Sequence, residues 1–536
     1  MKELFDLRNN PLFFKFVRSR LRKNTLLPGI LIVALCCIVI IVVDQQIIKV
    51  SHGPDELIGP HIFFFLQCFI LGILGGSQVA NATSHIHDSG IIELHRITPM
   101  PAHIQAIGII LGAPIRELIT YTVTLPFSFL SFVLSDMDPL SWFKLVIVEI
   151  GIALIYYTVA MMAGLSSHSR KGASGRFIIF IGLMNILSFS LFYPFQFFGP
   201  ALLTVTPIYK DVLERQVIEN HERWQQKKNG RVQHLAAAED IHEVTFYSLP
   251  IPIVLQSMVF QSTFIFFFFV ACSRRVRSSR IPLYPKAYAL AFFLAICFLM
   301  LGSVWKTTQV VQILGLCYFL PLCGIGLSFF VSPLRAEFLK GCQRALRGHG
   351  TLSIWNDLAT GRWIFLLFGL VMCSAIASAI LLSPLNPPPQ FILRGMNGLK
   401  FQPWAPLVVS ALLLLSFVFA QQFFRLSNGK NAGVFTLGLI ILWWVAPIPI
   451  SFMITEADPE NEGFLISFSP IIGIATSGLI DKDQDQQLIQ MIAIIPATLI
   501  TSFFLAVQFA VEKKLRSKIT SEASELAIPD NQLHPE

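Results

Sequence analysis

The sequence predicts an all-α polytopic membrane protein with about twelve transmembrane helices, arranged as two parallel-repeat halves of six spans each. Of the 536 residues, 54% are apolar, only 13% are charged and 48 are phenylalanine, a composition that no water-soluble surface of this length could accommodate. Apolar runs of about 20 residues, the length at which a helix crosses a bilayer core, recur from end to end. The alternating pattern of a membrane β-barrel does not occur.

Twelve apolar runs are interpreted as membrane crossings. They lie near residues 27–44, 61–80, 104–134, 142–165, 177–199, 250–272, 287–304, 309–331, 363–383, 405–423, 433–454 and 488–511. A further run at 464–480 contains Pro470 and two glycines, so it is interpreted as a re-entrant hairpin. If this run does cross the membrane, the number of spans rises to thirteen.

The distribution of lysine and arginine predicts a cytoplasmic N-terminus, because short cytoplasmic loops collect positive charge. Basic residues concentrate before the first span, in the loops after the fourth and sixth spans, and in the segment 332–362. Asp136, Asp138 and the acidic turn at 456–462 fall on the opposite side. The N-terminus is therefore expected in the cytoplasm, and the expected location is a bacterial plasma (inner) membrane. Its net charge of +8 is explained by loops that face membrane lipid, so no nucleic-acid partner is expected.

Residues 1–285 and 286–536 are predicted to form the two halves. Each half has a basic segment, two spans, a cytoplasmic insert, three spans, a break that contains proline and glycine, and a last span with a basic end. The inserts occupy 81–103 and 332–362, and a short polar tail ends the second half. Halves with the same orientation are related by an axis along the membrane normal, which predicts a pathway between them.

The loop at 200–249 would lie on the extracytoplasmic side. Its basic and acidic residues nearly balance, so the charge rule gives little guidance there. Many good helix formers in this loop predict an extracytoplasmic helical cap.

The first insert contains a short amphipathic element, Ser89 to Met100. Its sequence, SGIIELHRITPM, has a helical pattern of apolar residues and is followed by a second proline. It is therefore predicted to be a helix of two to three turns. Glu93 and Arg96, three residues apart, could form an exposed ion pair with no further role.

At these residues the chain resembles type-2 ABC transporter permeases, the exporter class. DSGIIELHRITPMPAHIQAIGIILGAPIRE is similar to the segment between the second and third spans of that family, and NPLFFKFVRSRLRK is similar to its amphipathic elbow helix. In that family the short helix is the coupling helix, which docks into a groove of the ATP-binding subunit. The resemblance implies an ATPase-coupling role in this chain for Gly90, Glu93, Leu94, Arg96, Thr98 and Pro99.

The chain departs from the family pattern in three places. The family usually has Thr-Leu where this chain has Ile91 and Ile92, and its residues before the glycine are often rich in Glu and Arg where this chain has SHIHD. The insert at 332–362 lacks the motif. The coupling-type helix is therefore expected at 89–100, and the second insert is interpreted as degenerate.

Arg116 and Glu117 form a candidate charged pair inside the third span, soon after Pro114. Ionisable residues in the middle of a span cost about 2.5–3.5 kcal/mol each on insertion scales, so these two should face protein or water. A structural pair at a helix break and a direct contact with substrate both remain open.

The sequence contains no catalytic or metal-binding constellation. There is no G-x-x-x-x-G-K-[ST] loop, so the chain is not expected to be an enzyme or to hold a cofactor of its own. The residues HIHD at 85–88 have no nearby Cys or Glu to complete a metal site.

The family resemblance implies the transmembrane subunit of an ATP-driven ABC exporter. ATP and Mg would be bound by a separate ABC subunit, and the transported substrate is not indicated by the sequence. The alternative is a secondary transporter or channel with parallel repeats and no ATPase partner.

Overall fold

The computed structural model describes residues 10–51, 58–93, 100–135, 137–165, 170–187, 243–278, 283–306, 310–347, 355–383, 400–401, 404–428, 432–440 and 486–526, residues 203 and 353, and a few positions between 442 and 480. Within these residues, 10 helices are long and apolar enough to cross a membrane. The prediction of an all-α polytopic membrane protein is confirmed.

The chain divides into two compact units, Met1–Ile281 and Pro282–Glu536, close to the predicted boundary. The elements of the first unit are α1 (Pro11–Arg20), α2 (Lys23–Ser51), α3 (Ile58–Cys68), a π-helical turn (Phe69–Leu74), α4 (Gly75–Asp88), α5 (Ala102–Gly112), α6 (Ile115–Leu134), α7 (Pro139–Leu165), α8 (Arg170–Leu187), β1 (Glu243–Phe246), β2 (Leu249–Pro252) and α9 (Ile253–Arg277).

The second unit is built in a similar way, from long apolar helices and one short strand pair. Its elements are α10 (Lys286–Ser303), α11 (Val310–Val331), α12 (Arg335–Arg347), α13 (Arg362–Leu382), β3 (Lys400–Phe401), α14 (Trp404–Asn428), α15 (Ala432–Ile440), β4 (Leu479–Ile480) and α16 (Gln486–Leu526).

Ten of the twelve predicted spans correspond to the long apolar helices. The other two, 177–199 and 433–454, are each the fifth span of a half, and only about half of each lies in the described residues. Residues 177–187 belong to α8, and residues 433–440 belong to α15. The proposed re-entrant run at 464–480 and most of the loop 200–249, including its predicted helical cap, also lie outside the described residues.

The third predicted span is not one helix but two. Helix α5 ends at Gly112, and α6 begins at Ile115 after Pro114. Proline lacks the N–H that would continue the hydrogen-bond ladder, and its ring clashes with the preceding turn. The carbonyl of Pro114 instead accepts the bond from Leu118 at 2.9 Å, which starts α6. The segment 104–134 therefore contains a short apolar helix followed by the helix that spans.

The second span runs as one rod through α3, the π-helical turn and α4. Its C-terminal part packs between α7 and α8. The close approach to α8 depends on Gly76, because a Cβ there would overlap the ring of Phe177, which is fully buried. Packing against α7 and α8 therefore holds the C-terminal part of the second span, including its polar end.

The core of the second unit lies where α14 packs along α16 and against α11 and α13. Phe293 of α10 and Phe368 of α13 stack with their ring centres 4.7 Å apart. The amphipathic helix α12 covers the C-terminal half of α16 with Phe338 and Cys342, which pack near Leu515. The insert at 332–362 therefore contains a helix that is packed onto its own unit.

Candidate functional site

Helix α1 is fixed to the bundle by Asn10 and by its apolar face. Oδ1 of Asn10 accepts hydrogen bonds from the backbone N–H groups of Leu12 (3.1 Å) and Phe13 (3.2 Å), which caps the helix. Nδ2 of the same side chain donates to the carbonyl oxygen of Ile104 at 2.7 Å. Leu12 and Phe16 are buried. One asparagine therefore both starts the amphipathic helix and ties it to α5.

The turn that follows α4 carries the first residues of the predicted coupling element. Helix α4 ends at Asp88, and Gly90 has a φ of +71°, a left-handed conformation that glycine adopts without strain. The N–H of Glu93 then bonds the carbonyl of Gly90 at 3.0 Å, and the Glu93 side chain is exposed. Glycine at this position is thus explained by the backbone of the turn.

The other predicted coupling residues cannot be placed in the same way. Leu94, Arg96, Thr98 and Pro99 lie outside the described residues. The chain is described again from Met100. The predicted helix of two to three turns stays a prediction, as does the coupling role of its residues.

The segment after Met100 leads directly into α5, which contacts α1, α4, α7 and α9. A cleft of about 500 Å³ lies between the start of α5 and the end of α9. Met100, His103, Arg274 and Arg277 are among the residues that line it. Any force applied to the element 89–100 would therefore reach α5 and, through it, the first and last helices of the unit.

Arg116 and Glu117 form an ion pair at the start of α6. Nε and Nη2 of Arg116 both donate to Oε1 of Glu117, at 3.2 and 3.0 Å. The Glu117 side chain is 3% exposed and that of Arg116 is 46% exposed. The pair therefore lies in the first turn of α6, next to the break at Pro114.

Arg20, the last residue of α1, brings a second cation toward this pair. Burial lowers the pKa of its guanidinium, Glu117 opposes that shift, and Arg116 adds to it. The Arg20 side chain also donates to Oε1 of Gln78 in α4. The hydrogen bond joins α1 to α4, and the charge interaction relates Arg20 to the pair on α6, which favours a structural role for the pair.

Sequence reasoning missed a buried carboxylate in α7. Glu149 is 4% exposed, and the hydroxyl of Tyr121 in α6 donates to its Oε2 at 2.9 Å. Glu149 is the only acidic residue in the predicted span 142–165, so its isolation in an apolar run was a usable signal.

A polar seam continues between the second span and α6. Nε2 of Gln67 donates to the hydroxyls of Thr124 (3.1 Å) and Ser128 (2.9 Å), and Nε1 of Trp142 donates to Ser128 at 3.0 Å. These buried groups satisfy one another, as the apolar surroundings require. These hydrogen bonds join the second span to α6 and α6 to α7, so the seam is interpreted as structural.

The second unit also contains a charged cluster. Glu512 of α16 accepts hydrogen bonds from Arg362 (2.7 Å), Arg516 (2.7 Å) and the hydroxyl of Thr360 (3.1 Å). Nζ of Lys286 donates to the carbonyl oxygens of Asn356 (2.7 Å) and Thr360 (3.1 Å). In the sequence these basic residues indicated only the membrane topology. In the structure they hold the second insert to α10, α13 and α16.

The residues HIHD at 85–88 do not form a metal centre in the described part of the chain. His87 Nδ1 lies 3.6 Å from Oδ1 of Asp88, whereas His85 lines a cleft between α1, α4 and α8. No group of three or more His, Cys, Asp or Glu side chains that could hold a metal ion occurs among the described residues.

In the comparisons with known proteins, no protein-family model, no curated protein and no solved structure matches this chain. The resemblance to ABC permeases therefore depends only on the residues quoted above.

Proposed function

We propose that this chain is the transmembrane subunit of an ATP-driven exporter, with ATP hydrolysed by a separate ABC subunit that docks on the element 89–100. The observation that carries the proposal is the length of the second span. The helix Gly59–Asp88 has 30 residues, or about 45 Å at 1.5 Å per residue, against about 30 Å for a bilayer core. We infer that its polar end and the Gly90 turn extend into water.

The contacts of α5 give the proposal a mechanical route. A docked ATPase would press on the element 89–100, and Met100 connects that element directly to α5. Because α5 contacts both α1 and α9, a rigid-body push at this point would move the outer helices of the first unit together.

The proposal also assigns α1 and the Gly90 turn to one side of the membrane. The basic segment before α2 and the basic end of α9 favour the cytoplasm for α1 and for the Gly90 turn. A bacterial plasma membrane is the expected location, and the exported substrate is unidentified.

The buried Glu149 favours the second candidate, a secondary transporter without an ATPase. A carboxylate inside a membrane bundle, bonded to a neutral tyrosine hydroxyl, is a typical proton-carrying group in ion-coupled transport. Glu149→Gln separates the candidates, since it would abolish transport driven by a proton gradient and would leave ATP-driven transport largely intact.

The test of the first candidate is capture of the ATPase. The tagged full chain is expressed with the P-loop ATPases encoded beside it, and the amount of ATPase that copurifies is measured. We expect Glu93→Lys to insert and fold normally but to capture several-fold less ATPase, because the reversed charge lies on the docking element.

The matched control is Lys340→Glu, an equally exposed charge reversal on α12 of the second unit. It should leave capture unchanged, because the second insert lacks the coupling motif. Normal capture and normal ATP-dependent transport by Glu93→Lys would remove the coupling assignment.

A further inference from the structure

We propose that a cleft between α1, α4 and α8 of the first unit binds the phosphate of an anionic phospholipid. The cleft, called here the headgroup cleft, has a volume of about 740 Å³, within the range of small-ligand sites. Its polar lining residues include Lys15, Arg20, Gln78, Asn81, His85 and Ser174. None of the described lining residues is acidic.

The charges of the headgroup cleft suit a phosphate. Lys15 is exposed, while Arg20 is partly buried and is held in place by its hydrogen bond to Gln78. Arginine keeps its charge at any physiological pH and presents donors in a planar fork that matches phosphate oxygens. The nearby carboxylate of Glu117 is paired with Arg116, so the one negative charge faces two guanidinium groups and a net positive charge remains.

Neutral donors complete the lining. The side-chain amide of Asn81, the hydroxyl of Ser174 and the ring of His85 line the same space. They come from two different helices, α4 and α8, so a ligand in the cleft would be contacted from both sides. Uncharged donors of this kind are common partners of phosphate oxygens.

The surroundings of the cleft favour a lipid over a soluble phosphate. One helical turn from Gln78, Leu74 is 38% exposed, and one turn from Ser174, Ile178 is 47% exposed. Both residues lie in the direction in which their helices enter the apolar part of the bundle. A lipid whose phosphate occupies the cleft could therefore lay its acyl chains along these side chains.

The test uses the purified full chain in neutral detergent. Equal amounts of a phosphatidylglycerol and a phosphatidylcholine with the same acyl chains are added, and native mass spectrometry measures the lipid retained. We expect preferential retention of phosphatidylglycerol, weakened on the order of ten- to thirty-fold by the double change Lys15→Gln and Arg20→Gln, the loss expected for two basic residues near anionic headgroups.

The control is Lys340→Gln with Arg344→Gln, which removes one lysine and one arginine from an exposed face of α12. It should retain phosphatidylglycerol like the unchanged chain. If the double cleft variant does not fold, Lys15→Gln alone should weaken retention about five-fold, since Lys15 is exposed and can be replaced without disturbing the core.

Three results would overturn the proposal. The first is equal retention of the two lipids by the unchanged chain. The second is an equal loss in the cleft and control variants, which would indicate a general charge effect. The third is displacement of the lipid by millimolar inorganic phosphate or glycerol phosphate, which would assign the cleft to a soluble anion. None of these results depends on whether an ATPase binds the chain.

Discussion

Arg362 of α13 and Glu512 of α16, 150 residues apart in the sequence, meet at 2.7 Å between Nη2 and Oε2. The same carboxylate also accepts from Arg516 and Thr360, so one side chain joins the second insert to the last helix. The Glu512 side chain is 5% exposed and that of Arg362 is 20% exposed, so this ion pair is largely shielded from water, whereas Arg516 is 46% exposed.

Replacing Glu512 by glutamine should destabilise the second unit. Glutamine can still accept a hydrogen bond from Thr360, but it leaves Arg362 and Arg516 without their counter-charge. We expect a loss on the order of 1–3 kcal/mol, measured by thermal or denaturant unfolding in detergent. Lys513→Gln, at the exposed neighbouring position, should stay within about 0.5 kcal/mol of the unchanged chain. Equal losses in the two variants would contradict the role given to Glu512.

Replacing Arg116 by alanine should do more harm than replacing the whole pair. The single change leaves the buried Glu117 carboxylate without its hydrogen-bonded partner, whereas Arg116→Ala combined with Glu117→Gln removes both charges of the pair. We expect the single variant to be less stable than the double variant by about 1–2 kcal/mol, because half-exposed Arg116 is screened by solvent. A double variant no more stable than the single one, in the same unfolding assay, would argue against the pair.

Replacing Gly90 by alanine should lower the free energy of unfolding, and only because of the backbone conformation at this position. A Cβ at Gly90 would meet open space, but the φ of +71° is unfavourable for alanine. We expect a loss of about 1 kcal/mol. Gly326→Ala in α11 is the matched control, since its Cβ would also meet open space but its backbone lies inside a helix. That change should be neutral or stabilising by up to about 1 kcal/mol. An equal change in the free energy of unfolding in both variants would contradict this explanation of Gly90.

Cys342 should react slowly with alkylating reagents in the folded chain. It is 7% exposed, and burial raises the pKa of its thiol above the ordinary value, an effect that Arg516 opposes and Glu512 supports. A raised pKa leaves less thiolate at pH 8, and the thiolate is the reactive form. Peptide mapping after iodoacetamide treatment should show slow labelling that becomes fast in denaturant.

The control for that experiment is Lys340→Cys in a Cys342→Ala background, which moves the thiol to an exposed position on the same helix. It should react like a free cysteine. Fast labelling of Cys342 in the folded chain would show that α12 is not packed on α16 as described.

The sequence predicted the fold class and most of the spans because a bilayer imposes length and composition on each helix. It predicted one span over 104–134 and left a helix break near Pro114 only as an open alternative, so the end of α5 at Gly112 was not predicted. For the same reason it assigned Arg116 and Glu117 to the middle of a span. Only the folded chain shows that α6 begins at Ile115 and that the pair lies in its first turn.

The side-chain contacts of the two units were less predictable than their helices. The coupling element at 89–100 stays a prediction, and Gly90 has the backbone conformation that its residue type allows. The partner of Glu149 was not predictable, because Tyr121 lies 28 positions away and no local spacing relates the two residues. Most of the cluster around Glu512 was missed for the same reason, since Thr360 and Arg362 lie 152 and 150 positions away, although Arg516 follows Glu512 at the i,i+4 spacing of a helix.

The π-helical turn Phe69–Leu74 makes the second span tolerant of a change in its length. Such a turn holds about one residue more than an α-helical turn over the same rise. Deleting one residue from this turn would therefore restore an ordinary α-helix. Gln67 and Gly76, on either side of the turn, would keep almost the same orientation relative to each other. Elsewhere in a span the same deletion would rotate one end against the other by about 100°.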